Sequence, residues 1–192
     1  MEWTVPLQNL EVGKINIDAP TQASKLLSHL SYSDGDVSFN CLSILLPLLP
    51  IKSYDAVSGR LQLSLQTTNT ATKLQAFQEM LINAVTNNQR PWFPGKAMSE
   101  KEEIRHGFQP FVDSSVIHLY CPSSSVSVSN EVQIYSGKEW TRGVVSPSMF
   151  TIGKQVRLAI KFQGLSFHQH PVTRVWTGKF RLQHRITAIL TS

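Results

Sequence analysis

The clearest alternation of apolar and polar positions lies near the C-terminus. In residues 155–164 the even positions are Val156, Leu158, Ile160 and Phe162, and the odd ones include Arg157 and Lys161. In residues 179–190 the even positions are Phe180, Leu182, His184, Ile186 and Ala188, while Lys179, Arg181 and Arg185 fall on odd ones. Successive side chains of a strand point to opposite faces, so each stretch predicts a strand that is apolar on one side and cationic on the other. Leu61, Leu63 and Leu65 alternate with polar residues over 60–66 in the same way. Shorter strands are expected over 3–7, where Pro6 restricts the strand to a sheet edge, and over 14–18, 37–46, 116–120, 126–135 and 144–152. Residues 33–36 and the pair Ser58-Gly59 carry turn chemistry. Residues 122–125 read as a loop, and 22–30 as one helical turn or irregular chain.

Helical spacing occurs twice. Leu74, Phe77, Met80, Leu81, Ala84 and Val85 form one stripe over 72–85, with Thr72 and Gln75 at capping-box spacing and Asn87-Asn88 as a stop. A shorter helix is predicted over 99–106. There Ser99 and Glu102 repeat the capping spacing, acids fill the first turn, Arg105 and His106 the last, and Gly107 follows as a stop. Many short strands with one packed helix predict a mainly β fold with inserted helices, as a small barrel or a sandwich.

Composition sets bounds on this picture. The 192 residues suit one domain, 41% apolar residues suffice for a core, and 16% charged residues exclude a disordered polyelectrolyte. The net charge of +5 conceals a division. Residues 136–192 hold nine Lys/Arg against one acid, Glu139, a net of +8; residues 1–135 hold nine against twelve, a net of −3. Cationic charge localised on strand faces points to a polyanionic partner. Cys41 and Cys121 lie in or at the end of apolar runs and read as buried thiols, which fits a reducing compartment. The opening MEWTVPLQNLEVGK lacks a signal-peptide pattern, and the apolar run 42–51 contains Pro47 and Pro50. A membrane span needs roughly 20 apolar residues. The expectation is a soluble intracellular protein, not secreted and with no membrane partner.

Single-strand binders combine a cationic track with aromatic platforms on which bases stack. Lys154, Arg157, Lys161, Lys179, Arg181 and Arg185 are the candidate track. Phe167, Arg174 and Trp176 lie between the two basic strands and, with Trp92 in the segment Arg90-Pro91-Trp92-Phe93-Pro94-Gly95-Lys96, are the candidate stacking groups. Strict alternation places Trp176 with Phe180 on the apolar side, so core packing is its competing role, as it is for Phe167 and Trp92. His168 and His170 share a strand face and could hold a metal with His184, but no Asp or Glu follows Lys154 to complete or orient the set. No GxSxG, GxxxxGK[ST], HExxH or paired-Cys motif is present. A non-enzyme with neither cofactor nor metal is expected.

Four places carry a family resemblance. They are the strand over 37–46 followed by 60–66; the helix over 73–85 leading into Trp92-Phe93; the acidic helix start over 99–104 before Phe108-Gln109-Pro110-Phe111-Val112; and the closing pair 156–167 and 176–190, with Gly164, Phe167, Trp176, Gly178-Lys179 and Gln183. In this order the chain, from about Val37, resembles the single-stranded-DNA-binding proteins of large eukaryotic DNA viruses and related elements. The resemblance implies an oligonucleotide/oligosaccharide-binding (OB) fold. That is one OB-like domain over 1–192, an antiparallel barrel with one longer and one short helix, residues 1–36 as an N-terminal extension and 68–110 as a helical insertion. It implies largely sequence-independent binding of single-stranded DNA, or RNA, in replication, recombination or repair, in the nucleus or at a viral replication site. Self-association into a homo-oligomer is a further expectation. Two other readings stand beside it: a viral capsid, matrix or movement-type β-sandwich with a genome-facing basic surface, and a metal-dependent nucleic-acid hydrolase using His168, His170 and His184.

Overall fold

The computed structural model describes residues 3–123, 132–135, 137 and 139–191. Strand β1 (Val5–Pro6) is followed by β2 (Ile15–Ile17), β3 (Thr21–Gln22), β4 (Leu26–Ser28), β5 (Leu30–Asp34) and β6 (Val37–Phe39). β2, β5 and β6 form a small antiparallel sheet. The chain leaves it at Asn40-Cys41 and enters the main sheet as β7 (Leu42–Leu45), so the strand expected over 37–46 is two strands in different sheets. β8 (Leu49–Asp55) lies beyond Pro47, which has no N–H to give to a ladder. β9 (Arg60–Ser64) returns antiparallel on β8.

Helix α1 (Thr68–Asn87) starts earlier than its stripe predicts because Thr67, not Thr72, is the cap: its hydroxyl accepts the Thr70 N–H at 3.3 Å. Leu74, Phe77, Leu81, Ile82 and Val85 are its buried face. α2 (Gln89–Trp92) and α3 (Lys101–Gly107) follow. The Ser99–Glu102 capping box does not form. The Ser99 N–H donates instead to Gln89 Oε1 at 2.8 Å, and Gln89 Nε2 reaches the Ser99 carbonyl at 2.9 Å. Glu79 ties α3 to α1 by taking Arg105 through two bonds of 2.7 and 3.0 Å and Lys101 at 2.6 Å. Arg105 first, then Lys101, hold its carboxyl down at about 2. Then come β10 (Phe108–Gln109), β11 (Val112–Asp113), β12 (Val116–Tyr120), β13 (Val132–Tyr135) and β14 (Trp140–Gly143). Residues 126–131 of the strand expected over 126–135 lie outside the described residues. Within 144–152 the chain forms a 3-10 helix, Pro147–Phe150, not a strand, because Pro147 at its start presets a helical φ.

The two basic stretches form one hairpin, β15 (Gln155–Gln169) and β16 (Trp176–Thr191), each strand longer than its predicting pattern. β15 is the spine of the main sheet. One edge pairs with β16, and the other takes β8, β7 and β4 in succession. Residues 26–28, expected as helical or irregular, are therefore strand: their backbone satisfies the open edge of β15. Gly164 makes this approach feasible, since at its φ of +139° an added Cβ would sit 2.0 Å from the Ser28 carbonyl oxygen. Of three register shifts along the hairpin, two change the side-chain phase. Gln163 is an extra residue between the rungs Phe162–His184 and Gly164–Gln183, so the buried set passes from Val156, Leu158, Ile160 and Phe162 to Leu165 and Phe167. Thr187 is the extra residue of β16, and there Ile189 is buried in place of the expected Ala188.

The fold is mainly β with inserted helices, but the expected antiparallel barrel is not closed. The main sheet is mixed, with parallel pairings of β1 with β7 and of β10 and β13 with β16. β8, β9 and β12 run on from β15 and bring β12 back beside β16, where no ladder joins the two. A side chain holds this seam: the Tyr120 N–H donates to His184 Nε2 at 2.8 Å, which puts the ring proton on Nδ1. Inside, Phe77 of α1 meets Phe162 and Phe111 edge-on at 5.3 and 5.6 Å. No helix among the described residues is long and apolar enough to cross a membrane.

Burial lowers the His184 pKa from 6.5 to about 4. The folded state thus favours the neutral ring, whose stabilising effect is complete above pH 6.5 and is lost as pH falls toward about 4. Over that window the native protein should lose on the order of 3 kcal/mol of unfolding free energy relative to His184→Gln, whose amide oxygen accepts without titrating. Urea unfolding at a series of pH values measures this. Parallel profiles for the two proteins would show that His184 does not hold the seam.

Candidate nucleic-acid interface

Alternation along the hairpin separates rings from charges. On the inner face Phe93, Phe167, Trp176 and Phe180 pack as one cluster, with centroid separations of 4.2 Å for Phe93–Trp176, 5.0 Å for Phe93–Phe167 and 5.7 Å for Phe167–Phe180. Phe167 is 2% exposed and Trp176 3%. The indole N–H of Trp176 donates to the Lys179 carbonyl at 2.9 Å, and Lys96 Nζ lies 5.1 Å from the ring centroid. Trp92 is half-buried, 6.5 Å from Phe167 between centroids. Phe167 and Trp176, candidates for base stacking, are thus core residues. The Gln163 bulge turns Phe167 inward, and α2 delivers Phe93 against Trp176.

On the outer face a groove of about 630 Å³ crosses the hairpin near its turn. Ser166 and His168 of β15 and Lys179 and Arg181 of β16 line its middle. Lys25 reaches it because Leu26 and Leu27 of β4 pair with Phe167 and Ser166. On the far side Gln109 of β10 lies level with Arg181 in the parallel register. His106 arrives from the end of α3, which packs backbone to backbone on β16: a Cβ on Gly107 would fall 2.0 Å from the Gly178 carbonyl oxygen. Arg174 enters from the turn at a φ of +58°.

The groove contains no Asp or Glu. Among the described residues Lys25, Arg174, Lys179 and Arg181 have no carboxylate partner; the ion pairs of Lys14, Lys101 and Arg105 lie elsewhere. Cations of one sign in a concavity raise the local concentration of anions. The other predicted cations are not gathered here. Lys161 and Arg185 face each other further along the hairpin. Arg157 lines a separate hollow with Lys73 near the start of α1, and Lys154 is exposed ahead of β15.

The three candidate metal-binding histidines do not converge. His168 Nδ1 lies 2.9 Å from Thr177 Oγ1 on the outer face, His170 Nδ1 accepts the Val172 and Thr173 N–H groups at 3.3 Å each, and His184 is at the inner seam. Among the described residues no three His, Cys, Asp or Glu are grouped to hold a metal. Cys121 is buried, which pushes its thiol up to about 12, whereas Cys41 is only half-buried.

Lys25, His106 and Gln109 are site residues that no sequence pattern marks. The one usable signal was Gly107 as the end of a helix, which placed His106 in a last turn without saying where that turn docks. Comparison with protein-family models, curated proteins and solved structures finds no match to this chain.

Assigning rings to the core and charges to the surface separates two pairs of variants. Phe167→Ala and Trp176→Ala should each lose about 3–5 kcal/mol of unfolding free energy. Lys179→Ala and Arg181→Ala should stay within about 0.5 kcal/mol of the native protein. Thermal or urea unfolding reads this difference, and similar losses in both pairs would contradict the assignment.

Proposed function

We propose that the protein binds single-stranded nucleic acid, DNA or RNA, through this groove, without catalysis and without reading bases. The observation that carries the reading is the acid-free grouping of Lys25, from ahead of β4, with Arg174, Lys179 and Arg181 of the hairpin. The groove crosses β4, β15, β16 and β10, three inter-strand steps, or roughly 14 Å at about 4.8 Å per step. That concave width suits a few nucleotides of one backbone, whereas a duplex offers its phosphates on a convex surface. Ser166 and Gln109 add neutral hydrogen-bonding groups for phosphate or sugar oxygens. With Phe167 and Trp176 in the core, affinity rests on charge, and the Arg174 guanidinium at the turn is a flat group placed to stack on a base. We read β15, β8, β9, β12 and β16, joined at the His184 seam, as an OB-like barrel opened along one line.

Fluorescence anisotropy with single- and double-stranded oligonucleotides over a salt series tests this. If the groove neutralises four phosphates, log K for the single strand should fall against log salt with a slope of about −2.8, at about −0.7 per phosphate. The Lys25→Ala/Lys179→Ala/Arg181→Ala variant should bind more weakly and reduce the size of that slope by about 2. Binding indifferent to salt, or a triple variant that binds as the native protein does, would refute the proposal.

A further inference from the structure

The turn between β15 and β16, His170-Pro171-Val172-Thr173-Arg174-Val175, presents apolar side chains to solvent: Val172 is 82% exposed and Val175 53%. The turn is tied at every level. His170 Nδ1 accepts the Val172 and Thr173 N–H groups, each at 3.3 Å. The Arg174 N–H donates to the His170 carbonyl at 3.0 Å, and the His170 N–H to the Val175 carbonyl at 2.9 Å. Gln169 Nε2 donates to the Arg174 carbonyl at 2.7 Å. Valine has a stiff χ1 and proline a fixed φ, so little conformational freedom remains to be lost when this tip meets a partner.

The partner is indicated by the neighbour. Arg174 belongs to the same turn and lines the cationic groove, so whatever phosphate chain lies there passes beside Val172 and Val175. Apolar side chains held next to a phosphate-binding surface are suited to enter between adjacent bases and unstack them. We propose that Pro171, Val172 and Val175 form a wedge that enters the base stack of the strand held in the groove, so that the protein unstacks the strand as well as holding it. The wedge rests on the binding reading above, because the groove supplies the grip against which it works. Its contacts are with base faces, so it adds no preference for sequence.

An oligonucleotide with one internal 2-aminopurine reports unstacking as a rise in fluorescence, and anisotropy of the same strand carrying an end label reports binding. The native protein should bind and raise the fluorescence. Val172→Ser/Val175→Ser should bind within about threefold of the native affinity yet lose more than about half of the rise. Val172→Leu, which keeps apolar bulk at the tip, should retain it. Circular dichroism verifies that both variants, altered only at exposed positions, keep the native fold. Native binding without a rise, a rise that the double variant keeps in full, or a double variant that no longer binds would each overturn the wedge and leave the groove reading intact. No binding by the native protein would overturn both.

Discussion

The backbone ladder between β15 and β16 is the constraint on which the rest of the molecule depends. An isolated two-stranded hairpin is marginally stable in water. This one persists because both outer edges are occupied, by β8, β7 and β4 on one side and by β10 and β13 on the other. Its inner face is covered by α1, through Phe77 on Phe162, and by Phe93, which packs on Phe167 and Trp176. The outer face is thereby left to carry charge. Core and candidate site are two sides of the same pair of strands, and the rings below stiffen the floor on which the cations stand.

Charge is used in two ways that are kept apart in space. Between the helices, Glu79 faces Arg105 and Lys101, so opposite charges define how α3 lies on α1. Such half-exposed pairs are worth little individually and act mainly through geometry. Along the groove the cations stand without carboxylates, and in water the mutual repulsion of exposed like charges a few ångströms apart is on the order of 1 kcal/mol or less. The fold tolerates that cost easily, whereas a bound polyanion would meet the whole field at once.

The strands of the hairpin, the outward direction of Lys179, Arg181 and Arg185, and the buried stripe of α1 were legible because each is a local periodicity. The bulges were not. Gln163 and Thr187 are ordinary polar residues within alternating stretches, and nothing near them signals an extra residue opposite a missing one. Phe167 was therefore ambiguous, although its burial follows at once when the phase shift is known. β4 was missed for a different reason: three residues have no periodicity, and Leu26-Leu27-Ser28 becomes a strand only because β15 offers unpaired backbone there. Charge summed over residues 1–135 and 136–192 pointed to the hairpin but hid Lys25, which sits in the net-acidic part and joins the groove through that pairing.

The Gln163 bulge has a consequence for how the hairpin tolerates change. The side chain of Gln163 is exposed and could be exchanged for many others at small cost. Its position as the extra residue makes even its loss tolerable. Without residue 163, Gly164 would follow Phe162 directly and meet Gln183 in a regular ladder, with Leu165 and Phe167 still facing inward. Losing Ser166, within the regular stretch, would instead invert the alternation, sending Phe167 toward water and His168 into the aromatic cluster. Natural variants of this hairpin should therefore vary at residue 163 in identity and even in presence while keeping the count from Gly164 to Phe167, because that count determines which face each later residue serves.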